Sequence, residues 1–233
     1  MQTYRALLIG NGETVSPRLL KQLAAQANYV LAADGGADNA LACGVTPNGV
    51  IGDLDSVSAH AKKKLADRIL HVPTQENTDL EKALLWLIKQ HFTHITLVGF
   101  VGNRWDFSVG NLLALARFAH KLSICVAGEK WRIFPLMHGA EFTCKKNKRV
   151  SLLPLKTCTG VTLTGLKYPL KNARLLPGTT RTLSNQTVGA RFGVSFTRGT
   201  LLVYYEMKLL PFFEFFFGIF PTAVGGQLQV FTA

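Results

Sequence analysis

Tyr4-Arg5-Ala6-Leu7-Leu8-Ile9-Gly10-Asn11-Gly12-Glu13-Thr14-Val15-Ser16-Pro17 is the stretch that sets the fold class. A short apolar run stops at a Gly-Asn-Gly turn, after which Ser16 offers a helix N-cap with proline at the first helical position. This reads as strand, tight loop and helix. The pattern repeats where Tyr29 to Ala33 runs into Asp34-Gly35-Gly36. It repeats again where His94 to Val98 leads into a loop from Gly99 to Asp106 and an apolar helix through Leu112, Leu113, Leu115 and Ala116. Apolar runs alternating with helical segments predict an α/β N-terminal domain with a largely parallel sheet. In such sheets ligands bind beyond the carboxyl ends of the strands, where the loops gather.

From Leu122 onward the helical signals fade. Short runs at Arg149 to Leu153, Gly160 to Thr164, Arg191 to Thr197 and Thr200 to Tyr205 are separated by Gly, Pro and Asn turns, which predicts an all-β sandwich C-terminal domain. The expected organisation is residues 1–127 as an α/β catalytic, nucleotide-binding domain, residues 128–206 as the β-sandwich, and residues 207–233 as a hydrophobic tail of unknown role. That tail gathers Phe212, Phe213, Phe215, Phe216, Phe217 and Phe220 but is interrupted by Pro211, Glu214 and Pro221, so it is too short and broken for a spanning helix. Packing on the core, packing across a dimer and contact with a membrane remain open for it.

The chain has 233 residues, of which 48% are hydrophobic and 17% charged, a balance suited to a globular protein with a real core. Its net charge of +12 is uneven: residues 1–123 hold 12 Lys/Arg against 10 Asp/Glu, and residues 124–233 hold 14 against 4. The basic runs Lys62-Lys63-Lys64 and Lys145-Lys146-Asn147-Lys148-Arg149 lack interleaved aromatics, so they read as solvated surface and not as a nucleic-acid platform. Cys43, Cys125, Cys144 and Cys158 form no Cys-x-x-Cys pair and no zinc-ligand spacing. They are expected to be reduced and mostly buried. With no signal-like segment at Met1 to Arg5 and no transmembrane run, a cytoplasmic protein is expected.

Four polar groups follow strand-like runs: Asp34-Gly35-Gly36, Gly52-Asp53-Leu54-Asp55-Ser56, Gln75 to Ala83, and Gly102-Asn103-Arg104-Trp105-Asp106. If the backbone at Asp53 and Asp55 is extended, both carboxylates face one way and can share a hard cation such as Mg²⁺. Asp-x-Asp also occurs in turns that hold no metal. Thr78 is placed to cap a helix Asp79 to Gln90 whose buried stripe is Leu80, Ala83, Leu84, Leu87 and Ile88. Asp79 and Asp106 are further loop-borne carboxylates, able to complete a metal shell or orient an attacking hydroxyl. Lys82 and Arg104 are cations suited to phosphates, Gly35 and Gly36 permit close backbone approach, and Asp34 and Asn39 are candidates for ribose or base.

In order and spacing, these groups resemble the thiamine pyrophosphokinase family, whose sequences carry Ala-Asp-Gly-Gly-Ala, Gly-Asp-Leu-Asp-Ser, Thr-Asp-x-x-Lys-Ala and Gly-Gly-Arg-x-Asp-His. The resemblance spans roughly residues 4 to 206. It implies Mg²⁺-dependent transfer of diphosphate from ATP to the hydroxyl of thiamine, with AMP leaving, in a homodimer. On this basis Asp53, Asp55, Asp79 and Asp106 are expected to be catalytic, the first three of them metal ligands. Asp34, Gly35, Gly36, Asn39, Ser56, Thr78, Lys82 and Arg104 are expected at ATP, and Ser184 and Asn185 at thiamine. Asn103 stands where the family usually has Gly, Phe107 where it has His, Gly110 where it often has Ala, and Asn48 where Asp commonly follows Pro47. These departures keep two alternatives open: another hydroxymethyl heterocycle such as a pterin as acceptor, or a weakened nucleotide- or thiamine-binding protein.

Overall fold

In the computed structural model, residues 4–207, 223–224 and 227–228 are described. The aromatic cluster from Phe212 to Phe220, on which the reading of the tail rests, lies outside them. The chain divides into two compact units, residues 1–129 and 130–233.

The first unit alternates strand and helix: β1 (Arg5–Ile9), α1 (Pro17–Ala25), β2 (Tyr29–Ala33), α2 (Gly36–Ala42), β3 (Gly49–Gly52), α3 (Ala59–Lys64), β4 (Ile69–His71), α4 (Asp79–Lys89), β5 (His94–Val98), α5 (Trp105–Phe118) and β6 (Ser123–Ala127). The strands are ordered β4-β3-β2-β1-β5-β6 and every pairing is parallel. Leu7, Leu8, Ile9, Leu31, Ile95 and Leu97 are buried. Such continuous apolar strands are what a sheet covered on both faces requires. Ser16 caps α1, its hydroxyl accepting from the Leu19 amide at 3.3 Å, and Leu19, Leu20 and Leu23 turn inward. The order reverses between β1 and β5, and open α/β sheets bind ligands at that switch point.

The second unit is antiparallel, with β7 (Trp131–Leu136), β8 (Ala140–Thr143), β9 (Arg149–Thr164), β10 (Leu170–Leu175), β11 (Asn185–Gln186), β12 (Arg191–Ser195) and β13 (Arg198–Glu206). One layer holds β7, β13, β11 and the first part of β9; the other holds β8, β12, β10 and the last part of β9. Aromatic rings join the layers: Phe134 lies 5.4 Å from Phe142, Phe142 stacks on Phe192 at 4.6 Å, and Phe192 lies 5.5 Å from Tyr205. The runs Arg149 to Leu153 and Gly160 to Thr164, expected as separate strands, are one 16-residue strand. Gly160, at φ +68°, and register shifts opposite Thr200 bend that strand from one layer into the other without breaking it.

Candidate active site

The loops after β1 and β5 close on each other at the switch point. The Gly10 amide donates to the Val98 carbonyl at 2.8 Å and the Gly12 amide to the Gly99 carbonyl at 2.6 Å. A side chain at Gly10 would place its Cβ 2.5 Å from the Gly99 carbonyl oxygen, so glycine is required for this approach. Beside these loops lies a cavity of about 260 Å³ whose lining includes Asp34, Ser56, Thr78, Asp79, Arg104 and Phe107.

Asp34, at the end of β2, adopts φ +46° and is buried. Its Oδ1 has no hydrogen-bond partner. Burial pushes its carboxyl up from the ordinary aspartate value, and Asp79 and Asp55 add to this while Ser56 and the Gly35 amide oppose it. Asp34, Asp53 and Asp55 each present an oxygen within 4.8 Å of the others. Asp53 and Asp55 do not meet along an extended strand. Leu54 takes φ +69°, and the segment turns so that the Asp55 amide faces Asp53 Oδ1 at 3.4 Å while Ser56 Oγ donates to Asp55 at 2.9 Å. The Gln75 amide, donating to Asp53 Oδ2 at 2.9 Å, is the leading cause holding that carboxyl below the usual value.

Three converging carboxylates, one of them buried with an orphan oxygen, form a donor set that fits a hard divalent cation. Asp79, grouped with Asp53 and Asp55 from the sequence, lies outside this set and accepts from Lys82 Nζ at 3.0 Å. Lys82, expected at a phosphate, has a side chain only 2% exposed, with Asp53 Oδ2 also 3.8 Å away. In this arrangement it is the counter-ion beneath the acidic cluster.

Thr78 forms a capping box with Glu81: its hydroxyl accepts from the Glu81 amide, and its own amide donates to the Glu81 carboxylate, both at 3.3 Å. Asn39 donates to the Gly10 carbonyl at 3.0 Å and so ties α2 to the β1 loop. Gly36 passes so close to β1 that an added Cβ would lie 2.1 Å from the Ile9 carbonyl oxygen, and one at Gly35 would meet the Asn11 side chain at 2.4 Å. Arg104 and Asp106 are both exposed and form a bidentate pair. That pairing lowers the Asp106 carboxyl and raises the guanidinium.

Ser184 and Asn185 belong to the second unit. Ser184 is exposed at φ +55°, and its amide donates to Ser151 Oγ at 3.0 Å. The buried Asn185 side chain accepts from the Tyr168 amide at 3.0 Å and donates to the Tyr168 carbonyl at 2.7 Å. Sequence reading placed Gln75 in a motif group but gave it no role, because its contact with Asp53 is long-range. It also missed the lining loop Gly10-Asn11-Gly12, although its position after an apolar strand matches that of the recognised groups.

Glycine-dependent loops and an acidic cluster at the carboxyl ends of a parallel α/β sheet place this cleft where such folds bind ligands. Comparison with known proteins narrows that reading. Residues 20–126 match the family model for the thiamin pyrophosphokinase catalytic domain, and residues 140–201 match that for its vitamin B1 binding domain. A thiamine pyrophosphokinase of Bacillus subtilis is 30% identical over 181 residues, covering 73% of this chain and 83% of that protein. Thiamin pyrophosphokinase 1 of Caenorhabditis elegans is 26% identical over 192 residues, covering 76% and 79%. In fold, the chain superposes on the Bacillus subtilis crystal structure with a TM-score of 0.77 at 24% identity, over 88% of this chain and all of that one. For the Candida albicans enzyme the TM-score is 0.76 at 20% identity, over 88% and 90%. The chain belongs to the thiamin pyrophosphokinase family.

Proposed function

We infer that this protein transfers diphosphate from ATP to thiamine. The acceptor hydroxyl oxygen bonds to the β-phosphorus, the bond from that phosphorus to the oxygen bridging the α-phosphate breaks, AMP leaves, and the hydroxyl proton is released. Phosphoryl-type transfer asks the protein mainly for positioning and charge neutralisation. The backbone at Gly10, Gly12 and Gly99 gives the polyphosphate close access. Arg104, exposed at the cleft, meets a phosphate, and Lys82 holds Asp79 and Asp53 in place from below. Asp53, Asp55 and Asp34 would hold Mg²⁺, which when bound neutralises the polyphosphate charge.

The observation that carries this reading is the convergence of the Asp34, Asp53 and Asp55 carboxylates at the edge of the cleft that Asp34 lines. The match to a vitamin B1 binding domain supports a thiamine role for the β unit through the exposed Ser184. Asn185 acts there by fixing the Tyr168 backbone. We further propose a homodimer working in the cytoplasm, in keeping with four free, buried cysteines. Among the described residues no helix is long and apolar enough to cross a membrane.

The deciding measurement is AMP formation from ATP and Mg²⁺ with and without thiamine, the product being weighed by mass spectrometry. Thiamine-dependent AMP with thiamine diphosphate is expected. AMP released only with a hydroxymethyl pterin, or with no acceptor at all, would overturn the assignment. Asp55→Ala should lose turnover by more than about 100-fold, since even residues that only support a metal ligand are worth about 10–100-fold, and its melting curve should stay near wild type.

A further inference from the structure

The guanidinium of Arg104 does not hang free over the cleft. Its central carbon lies 4.4 Å from the centroid of the Phe107 ring, well within cation–π range. Its Nε donates to Asp106 Oδ1 at 3.2 Å and a terminal nitrogen donates to Asp106 Oδ2. Phe107 thus supports one face of the planar group and Asp106 holds one edge. The remaining N–H donors stay open for a planar or bidentate oxyanion. Arg104 and Phe107 both line the cleft that contains Asp34, Ser56 and Thr78.

The ring itself is 48% exposed and does not belong to the buried core. It borders the nucleotide cleft and also a second hollow of about 240 Å³ lined by Thr78, Glu81, Asp106, Gly110, Asn111 and Ala114. The guanidinium over this exposed ring gives it a specific partner at the cleft. Arginine side chains carry much rotamer freedom, and a pre-set plane reduces what is lost when a phosphate binds.

We propose that Phe107 is the positioning residue for Arg104, its ring fixing the guanidinium over the cleft so that the open edge receives a phosphate of ATP. The proposal rests on the reading of Arg104 as a phosphate contact. In this reading Phe107 acts on the nucleotide through Arg104 and takes no part in the reacting bonds. A cation–π contact at an exposed site corresponds to about a two- to fivefold change in an equilibrium constant.

The test is calorimetric binding of Mg·ATP, without acceptor, to wild type, Phe107→Leu, Phe107→Tyr, Arg104→Ala and the double variant Arg104→Ala/Phe107→Leu, each checked by its melting temperature. Phe107→Leu should weaken binding about two- to fivefold, Phe107→Tyr should bind as wild type does, and the double variant should bind no more weakly than Arg104→Ala. In steady state the loss should fall on KM for ATP and leave kcat nearly unchanged. If Phe107→Leu weakens binding equally with and without Arg104, the ring acts on its own and the proposal fails. It fails as well if Arg104→Ala weakens binding while Phe107→Leu does not. If Arg104→Ala binds Mg·ATP normally, the phosphate role of Arg104 falls first and takes the proposal with it.

Discussion

Asp34 joins three conditions at one position: a left-handed backbone, burial and a carboxylate oxygen with no partner. Each is unfavourable in isolation, and such features persist at sites where function requires them. Replacing its charge should therefore stabilise the fold and harm the chemistry. Asp34→Asn keeps the volume and removes repulsion from Asp55 and Asp79. Its melting temperature at neutral pH should rise by the equivalent of about 1 kcal/mol, while AMP formation assayed with Mg²⁺ should fall sharply. An Asn variant less stable than wild type in metal-free buffer would mean that the carboxylate is satisfied within the fold. Asn103 illustrates the opposite case. Its φ of +42° is a conformation that asparagine tolerates better than most side chains. The carboxylates were legible in the sequence, because acidic residues after apolar strands stand out. Their division of labour was not. Residue type suggests Lys82 for a phosphate and Asn39 for ribose or base, but it does not reveal that Lys82 pairs with Asp79 or that Asn39 donates to the Gly10 carbonyl.

Among the elements, the helices that carry the site depend on glycine in opposite ways. At the start of α2, Gly36 lies against the end of β1, where a methyl group would meet backbone that cannot yield. In α5, Gly110 is exposed and nothing lies within 4 Å of an added Cβ. Gly36→Ala should destabilise by about 1–3 kcal/mol or more, as overpacking does. Gly110→Ala should stabilise α5 by about 0.5–1 kcal/mol through the cost of glycine in a helix interior. Denaturant titration of the two variants separates them, and equal shifts for both would remove the packing argument. The capping signals at Ser16 and Thr78 and the strand at His94 to Val98 were readable because caps and apolar periodicity are local. The turn at Asp53 to Ser56 was one of two readings that residue type left open, and the continuity of β9 was not readable. A strand that bends at a glycine is held together by tertiary pairing, which leaves no periodic trace.

At the scale of the whole molecule, a parallel sheet has polarity, and this one separates its chemistry from one source of its pH sensitivity. The cleft gathers at the carboxyl ends of the strands, whereas His94 opens β5 at their amino ends, in register with Arg5 on one side and Ser123 on the other. Burial, with Arg5 as a second cause, pushes the His94 imidazole below its ordinary value, and Thr93 Oγ1 lies 2.9 Å from its Nδ1. The unfolded chain therefore takes up a proton at a higher pH than the folded one. Stability from this residue is fully present above the ordinary histidine range and is lost as pH falls through the lower folded value. His94→Gln removes the titration and keeps a polar side chain of similar reach. Between pH 8 and pH 5.5 the wild type should lose more melting temperature than the variant, on a scale where about 1 kcal/mol moves a chain of this size by about 2–4 °C. Because His94 lies away from the cleft, the two proteins should keep superimposable pH profiles for AMP formation at temperatures where both are folded. Parallel melting curves across that pH range would show that acid sensitivity resides elsewhere. A changed activity profile would show that the two ends of the sheet are coupled.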